Sequence, residues 1–501
     1  MRQNGGTMTK FKRFAAIGLA AVMSIAAFAG CGKSSSSSSG SGDKKTEAPG
    51  ETKAPGTDET KAPGTGDKVD YSDVGEGEGK VLNIYVWNEE FKERVEEFYP
   101  GYEKVDGTTG KIGDVTVKFT IVENKDNKYQ DNLDMQLDKE DKGEVGADEI
   151  IDIFLVEADY ALKYVDDPAS MDITELGITK EQIANQFTYT QDVMTSADGK
   201  LKGLSWQGCP GVLCYNKAIA KEVLGADDPD TVQAAVKDWA TFNDTAKKLA
   251  DKGYKAVSGF DDTYRVFSNN VSSKWVDKDG QKIVVDDAIM EWVKQTKDFT
   301  DKGYNDKTLL WSDEWKSGFP ADQKVFCYFG PAWLVDFNIG LKDPDTKQYT
   351  NNGVWSICEG PQNFFWGGTW VCAGSNTDNK TLVKNIMLAL TTDADIMTEI
   401  CKVKNDFVNN KEAMDKIAND ANYKSEFLGM NPIPYYNAGV GKIDLKYLGE
   451  YDQGCNEEFQ NAMHNYFLGA ATLEEAMDAF KKAVGEKYPA IKDYELVYKA
   501  D

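Results

Sequence analysis

Residues 198–219, DGKLKGLSWQGCPGVLCYNKAI, constrain the fold more than any other stretch of this chain. An Asp-Gly turn leads into a short apolar run that ends at Trp206, and a Gly-Cys-Pro-Gly break precedes a second apolar run. The two glycines and Pro210 allow the backbone to change direction between the runs. The pattern therefore predicts two buried strands joined by a bend, at a place where two compact units meet.

Before this bend, apolar runs alternate with helical patterns. Strands are predicted at residues 81–87, 115–122 and 150–156, and the residues between them have helical spacing. Strands that alternate with helices indicate a parallel sheet covered on both faces, and ligands of such sheets bind beyond the carboxyl ends of the strands. The side chains at these ends, which we expect near a ligand, are Trp87, Asn88, Glu157 and Asp159.

After the bend the chain forms a second set of elements. Residues 231–252 are predicted to form one helix, and the Asp279-Gly280 turn within residues 275–285 predicts a hairpin. The run FFWGGTWVCAG at 364–374 is an apolar strand broken by paired glycines, which indicates a second crossing between the units. Asn-Pro-Ile-Pro at 431–434 predicts a third crossing.

The N-terminal segment has the pattern of a secreted, anchored chain. Residues 1–30 combine a basic leader with an apolar run and small residues, which is typical of a signal peptide. Cys31 follows Ala-Gly and resembles the lipid-attachment cysteine of bacterial lipoproteins. Residues 31–79 are rich in Ser, Gly and Pro, so we expect a disordered linker that holds the folded part away from the membrane.

Charge and cysteine content exclude several kinds of partner and site. Removal of residues 1–30 leaves 53 of the 57 basic residues against 83 acidic ones, a formal charge of -30 that makes nucleic acid an unfavourable partner. Seven scattered cysteines follow Cys31, and we expect most to be buried free thiols, with Cys209 and Cys214 the one pair close enough in sequence to bridge. The chain has no clustered Cys and His residues and one histidine, so we predict no metal site and no cofactor.

Tryptophans at strand ends and breaks suggest a binding cleft. One tryptophan usually packs in a core, but several that flank the predicted crossings favour a ligand site. A pyranose stacks its C–H face on an aromatic ring and offers hydroxyls to nearby acidic or amide groups. The candidate stacking residues, beyond Trp87, are Trp206, Trp333, Trp366 and Trp370, and the candidate polar groups also include Asp262 and Asp452.

Four motifs in order carry a resemblance to a known family. They are DIFLVEAD at 152–159, GKLKGLSW at 199–206 with YNK at 215–217, GPAW at 330–333 and GGTWVCAG at 367–374. They are similar to motifs of the family 1 extracellular solute-binding proteins, which include maltose-binding protein, and the likeness covers residues 81–488. The resemblance implies an α/β fold of the periplasmic-binding-protein type II, with two lobes, three interlobe crossings and a central cleft.

Lobe boundaries and further site residues follow from the same resemblance. It implies a first lobe of residues 80–206 and about 370–430, and a second of about 210–366 and 435–501. Asp159 resembles the family's acidic hydroxyl acceptor and Trp333 its stacking ring, although Ala332 adds one residue before Trp333. Tyr264, with Asp262, falls where the family places an aromatic and an acidic contact. Tyr451 and Asp452 fall near the start of a late helix that often brings a further aromatic in this family. Cys209 stands where maltose-type receptors have a carboxylate, which argues against the same ligand.

The leading functional hypothesis is a receptor without a reaction of its own. It would bind an oligosaccharide, act as a monomer and pass the sugar to an ABC permease. It would be held by its lipid anchor on the extracytoplasmic membrane face of a Gram-positive bacterium. Two alternatives remain: a glycoside hydrolase with two carboxylates, and a surface sensor for a peptide or protein. Turnover of a sugar would favour the first alternative, and peptide binding without sugar binding the second.

Overall fold

The computed structural model describes residues 69–125 and 127–499. The predicted signal peptide, Cys31 and the predicted linker up to residue 68 lie outside the described residues. The strands are β1 (Val81–Val86), β2 (Tyr102–Lys104), β3 (Thr109–Ile112), β4 (Val115–Ile121), β5 (Ile153–Glu157), β6 (Leu204–Ser205), β7 (Val212–Asn216), β8 (Val276–Asp277), β9 (Lys282–Val284), β10 (Cys327–Gly330), β11 (Trp355–Cys358), β12 (Thr369–Ala373) and β13 (Glu495–Val497).

The helices surround these strands. They are α1 (Glu90–Phe98), α2 (Lys128–Asp141), α3 (Ala161–Val165), α4 (Thr188–Val193), α5 (Lys217–Leu224), α6 (Pro229–Val236), α7 (Trp239–Asp251), α8 (Tyr264–Ser268), α9 (Asp287–Lys302), α10 (Asp313–Lys316), α11 (Ala332–Leu334), α12 (Lys380–Thr391), α13 (Ala394–Lys404), α14 (Lys411–Ala418), α15 (Ile433–Val440), α16 (Asp452–Phe467) and α17 (Leu473–Lys487). Short 3₁₀ turns lie at Ala147–Glu149, Ile173–Leu176 and Pro489–Ile491, and a π-helix at Val335–Ile339. In the described part of the chain, no helix combines the length and the apolar character that a membrane span requires.

The first lobe is built on a seven-stranded sheet in the order β2-β3-β4-β1-β5-β12-β6. Strand β1 pairs in parallel with β4 and β5, as the alternation of strands and helices predicts. Strand β12, which comes from much later in the chain, inserts antiparallel beside β5. Every second residue of β1 is fully buried and Ile153, Phe154 and Val156 are all inaccessible, so the predicted buried strands are confirmed.

The second lobe has a small sheet of its own, in which β7 pairs antiparallel with β10 and β11. The chain passes from the first sheet to this one between β6 and β7, and returns between β11 and β12. Helix α15 then packs against both α14 and β7, so a third crossing brings the chain to the second lobe for the second time. The predicted stretch of strand, bend and strand at 198–219 is therefore the link between the two sheets.

A separate small core forms the far part of the second lobe. Strands β8, β9 and β13 make a third sheet, and the predicted Asp279-Gly280 hairpin is confirmed as the connection of β8 to β9. Buried aromatic side chains of α9, α16 and α17 fill this core. The prediction of a single helix at 231–252 is wrong. This segment contains two helices, α6 and α7, because Asp238 caps a new helix and accepts the N–H of Thr241 at 2.8 Å.

Residues 71–79, which the sequence assigns to the linker, lie against α12: Thr381 donates to Glu78 and Asn385 to the carbonyl of Asp73, each at 2.8 Å.

The seven cysteines of the described range are buried and unbridged, as expected. Cys209 and Cys214 therefore form no disulfide.

Candidate functional site

The two first crossings lie side by side between the lobes. The N–H of Gly211 donates to the carbonyl of Phe364 at 2.8 Å, and the N–H of Trp366 donates to the carbonyl of Cys209 at 3.3 Å. A Cβ on Gly211 would lie 2.0 Å from the ring of Phe364, so this close approach requires glycine. Cys209 has a φ of +50°, a left-handed conformation that costs a non-glycine residue energy and often occurs at functional sites.

A buried charge cluster supports these crossings from the first lobe. Arg94, on α1, is 2% exposed and lies 3.0 Å from Glu90 and 3.2 Å from Asp406. Gln207 donates to both carboxylates, at 3.2 and 3.1 Å. We call Glu90, Arg94, Gln207 and Asp406 the hinge cluster. It joins α1, the first crossing and the segment after α13 in one hydrogen-bonded group.

A cavity of about 290 Å³ lies between the two lobes. Its walls include residues around α2 and α3 of the first lobe, residues of α8 and α16 of the second, and Phe365 and Gly367 of the second crossing. The guanidinium of Arg265 spans the lobes at this cavity and donates to both carboxylate oxygens of Asp159 at 2.7 Å. Bidentate pairing of this kind fixes both side chains in orientation.

Two more carboxyl groups accompany this interlobe pair. Glu157 accepts the backbone N–H of Asp159 at 2.9 Å, and burial together with the charge of Asp159 raises the pKa of its carboxyl. One carboxylate oxygen of Asp452 accepts the N–H of Gly449 at 3.0 Å, and burial raises the pKa of Asp452 to about 7. Its other oxygen is buried and accepts no hydrogen bond from any residue that the structure describes. We call Glu157, Asp159, Arg265 and Asp452 the cleft cluster.

Aromatic rings extend from the cleft cluster. Trp366 faces the guanidinium of Arg265 at 5.8 Å, and the rings of Trp311 and Trp333 pack against Trp366 at 5.6 and 5.1 Å. Trp311 is partly exposed and has a φ of +69°, which is unusual for a bulky side chain. Trp275 borders the cavity itself and donates its indole N–H to Asn456 at 3.0 Å.

Several predicted stacking residues are buried away from the cavity. Trp206 is 1% exposed and stacks on Phe91 inside the first lobe, and Trp370 donates to the carbonyl of Thr190 in the same interior. The prediction of Trp206 as a stacking residue of the cleft is therefore wrong, because its ring packs inside the first lobe. Trp333 is also buried, and its indole N–H donates to the carbonyl of Trp366 at 3.2 Å.

The remaining predicted residues take supporting positions. Asp262 is buried and accepts the indole N–H of Trp315 at 2.6 Å, and burial raises its pKa to about 6. Tyr264 is buried and donates to Asn456 at 2.5 Å. The others lie outside the cavity lining themselves: Trp87 packs on Tyr129 and Tyr160, the side-chain oxygen of Asn88 accepts the N–H of Glu90, and Tyr451 packs on Tyr488. Of the predicted residues, Asp159 and Asp452 border the cavity directly.

A family model described as bacterial extracellular solute-binding protein matches residues 105–425. The chain belongs to this family. Its members bind solutes and carry out no reaction on them, as the sequence predicts. No curated protein matches the chain.

Solved structures of the same fold agree with this assignment. A family 1 extracellular solute-binding protein superposes with a TM-score of 0.63 at 17% identity, covering 81% of this chain and 100% of that chain. The ABC transporter associated binding protein from B. animalis subsp. lactis Bl-04, in complex with β-1,6-galactobiose, gives 0.57 at 17% identity over 84% and 100%. The GacH receptor of Streptomyces glaucescens GLA.O, solved unliganded and with acarbose, gives 0.58 at 15% identity over 83% and 99%. The expected two-lobed α/β fold is confirmed.

Sequence reasoning missed three residues that line the cavity of this solute-binding protein, Arg265, Trp275 and Asn456. It also missed Trp311, which packs on Trp366 outside the cavity lining. A signal for Asn456 was available, because it follows Asp452 by four residues and such a pair shares one face of a helix. Arg265 follows the predicted Tyr264, but nothing local in the sequence indicates its partner, which is 106 residues away.

Proposed function

We propose that this solute-binding protein is the substrate-binding component of an ABC importer and that it binds an oligosaccharide in the interlobe cavity. The observation that carries the proposal is the cavity's polar wall. The bidentate pair of Arg265 and Asp159 crosses it, and Asp452 presents a buried oxygen that accepts no hydrogen bond from the described residues. Because sugar hydroxyls both donate and accept, they suit a wall of fixed donors and acceptors.

Aromatic surface next to these groups supports a carbohydrate ligand. Trp275 borders the cavity, and Trp311 with Trp366 continues from Arg265. An indole ring offers a large apolar face with little conformational entropy to lose, and the C–H face of a pyranose is complementary to it. We propose that Asp159, Arg265, Trp275, Asp452 and Asn456 contact the ligand and that Trp311 stacks at the edge of the cleft.

Ligands of structural neighbours favour the same class. The Bl-04 protein was solved with β-1,6-galactobiose and the Streptomyces receptor with acarbose. The cavity lies between lobes that are joined by three chain crossings, a geometry that permits hinge closure around a ligand. We propose that closure brings Asp159 and Arg265 together and presents the loaded form to a permease.

Calorimetry tests the binding function. The chain is titrated with neutral di- and trisaccharides of gluco, galacto, manno and xylo type, and each mixture is then incubated and analysed for products. We expect saturable binding of at least one sugar without turnover. Turnover would contradict the receptor proposal, and binding of peptides without any sugar would indicate a peptide receptor instead.

Membrane attachment has its own test. We propose that Cys31 carries a lipid and that residues 32–68 link it to the folded part. The intact chain is expressed in a Gram-positive host, and the mature N-terminus is analysed by mass spectrometry. Cys31→Ala should release the protein into the medium, whereas a chain that stays equally cell-bound would contradict lipid attachment at this residue.

A further inference from the structure

The charges around the interlobe cavity are unequal. Six of the residues that line it are acidic and three are basic. Low-dielectric walls focus the field of such charges into the cavity, so an incoming charged group experiences their sum. An excess of carboxylates therefore acts against a ligand that is itself an anion.

The three lining cations already have carboxylate partners within the described residues. Arg265 pairs with Asp159 at 2.7 Å, Lys163 with Asp134 at 2.5 Å and Lys487 with Glu457 at 2.5 Å. An acidic substituent on a sugar would have to take one of these cations from its partner and leave that carboxylate uncompensated. A sugar hydroxyl does not require a cation to leave its partner, because it can donate to the carboxylate and accept from the cation.

Two carboxylates of the cavity lining, Asp286 and Asp452, differ in how many hydrogen bonds their oxygens accept. Asp286 accepts hydrogen bonds from the backbone and hydroxyl of Ser272, from Ser273 and from the N–H of Ala288, all within 3.0 Å. Asp452 has the N–H of Gly449 on one oxygen and no described donor on the other, which is buried. A buried carboxylate oxygen without a donor is unfavourable, so a ligand that supplies an O–H group gains what an acidic ligand cannot.

We infer that the cavity selects uncharged carbohydrates over those that bear a carboxylate, sulfate or phosphate, and that Asp452 sets this selectivity by accepting a hydroxyl hydrogen bond from the ligand. The inference rests on the proposed carbohydrate-binding function and narrows its substrate class. Lys274, the nearby cation that acts on Asp452, is exposed and outside the cavity lining, and it leaves the acidic character of the wall in place.

Matched sugar pairs test the selectivity. The full chain is titrated calorimetrically with β-1,4-cellotriose, β-1,4-mannotriose and α-1,4-galactotriose, and with the corresponding triuronic acids, which differ in the oxidation of C6. We expect at least one neutral trisaccharide to bind and its acidic counterpart to bind at least about tenfold more weakly, as expected for close like charges. Equal or tighter binding of the acid overturns this inference and leaves the carbohydrate proposal standing. Failure of every neutral and acidic sugar to bind overturns both.

Variants at Asp452 test its role. Asp452→Asn removes the charge with little change of shape, and we expect it to reduce the preference for the neutral sugar to below about threefold. Asp452→Glu, which keeps the charge, should retain the preference, and so should Asp298→Asn, an equal charge change on α9 away from the cavity lining. An unchanged preference in folded Asp452→Asn, checked by circular dichroism, overturns the assignment to this residue.

Discussion

The hinge cluster and the cleft cluster are built from the same chemistry and differ in surroundings. Each places carboxylates around one arginine, Arg94 in the first and Arg265 in the second. The Arg94 side chain is 2% exposed and its partner Asp406 1%, whereas Arg265 and Asp159 are 23% and 35% exposed and face a cavity. A fully buried ion group thus supports structure, while the same chemistry at a cavity between lobes is available to a ligand.

The hinge cluster and the cleft cluster should differ most in how much their arginine contributes to stability. Arg94→Gln leaves Asp406 and Glu90 buried without their cation, so we expect a loss of about 3 to 5 kcal/mol in the free energy of unfolding. Urea denaturation measures this loss. Arg265→Gln is the matched variant in the cleft cluster and should cost less than about 1 kcal/mol, because its pair is partly exposed and solvent-screened. Similar losses in both variants would remove the distinction.

The next effect is a loss of sugar affinity, which we expect in variants of the cleft cluster. Arg265→Gln and Asp159→Asn each remove a charged hydrogen-bonding group from the cavity wall, so we expect each to weaken sugar binding by about 1.5 to 3 kcal/mol. Calorimetry of both single variants and the double variant gives the coupling between the two side chains. Purely additive effects would mean that the ligand does not engage them as a pair.

A smaller effect links stability in the cleft cluster to pH. Burial raises the pKa of Asp452 to about 7, so the ionised carboxylate lowers the free energy of unfolding. This destabilisation is absent below about pH 4, the pKa of an Asp in the unfolded chain, and it grows as the pH rises to about 7. Asp452→Asn should therefore stabilise the ligand-free protein by about 1 to 2 kcal/mol at pH 8 and by almost nothing at pH 4. Thermal unfolding at both pH values checks this, and a stabilisation that grows as pH falls would contradict it.

The smallest expected effect compares two tryptophans. Trp311 is partly exposed beside the cleft cluster, so Trp311→Ala should weaken sugar binding by about 1 kcal/mol while stability changes little. Trp206→Ala, next to the hinge cluster, removes a fully buried ring and should chiefly lower the unfolding midpoint in denaturant. If Trp311→Ala binds sugar as tightly as the parent chain, Trp311 is not a stacking platform.

Local patterns in the sequence predict the framework of this protein well. Apolar runs at 81–87, 115–122 and 150–156 correspond to β1, β4 and β5. Strands β1 and β4 bury alternate residues and β5 buries nearly all of its residues, so each strand needs closely spaced apolar side chains whatever its partners are. The Gly-Cys-Pro-Gly bend predicts the link between the two sheets. Buried free cysteines follow from their apolar neighbours and uneven number. Asp159 and Asp452, predicted for the site, border the cavity.

The roles of the tryptophans and the partner of Asp159 were decided by tertiary structure. Trp206 and Trp370 lie at element ends in the sequence, yet their rings turn into the first lobe, because side-chain direction depends on sheet packing. Arg265 reaches Asp159 across 106 residues and between two lobes, a contact for which local sequence has no signal. Local sequence thus predicts most of the strands and helices and the bend between the two sheets, since these depend on neighbouring residues. The charged and aromatic groups that meet at the cavity could be identified from the fold alone, since their meeting depends on how the lobes pack.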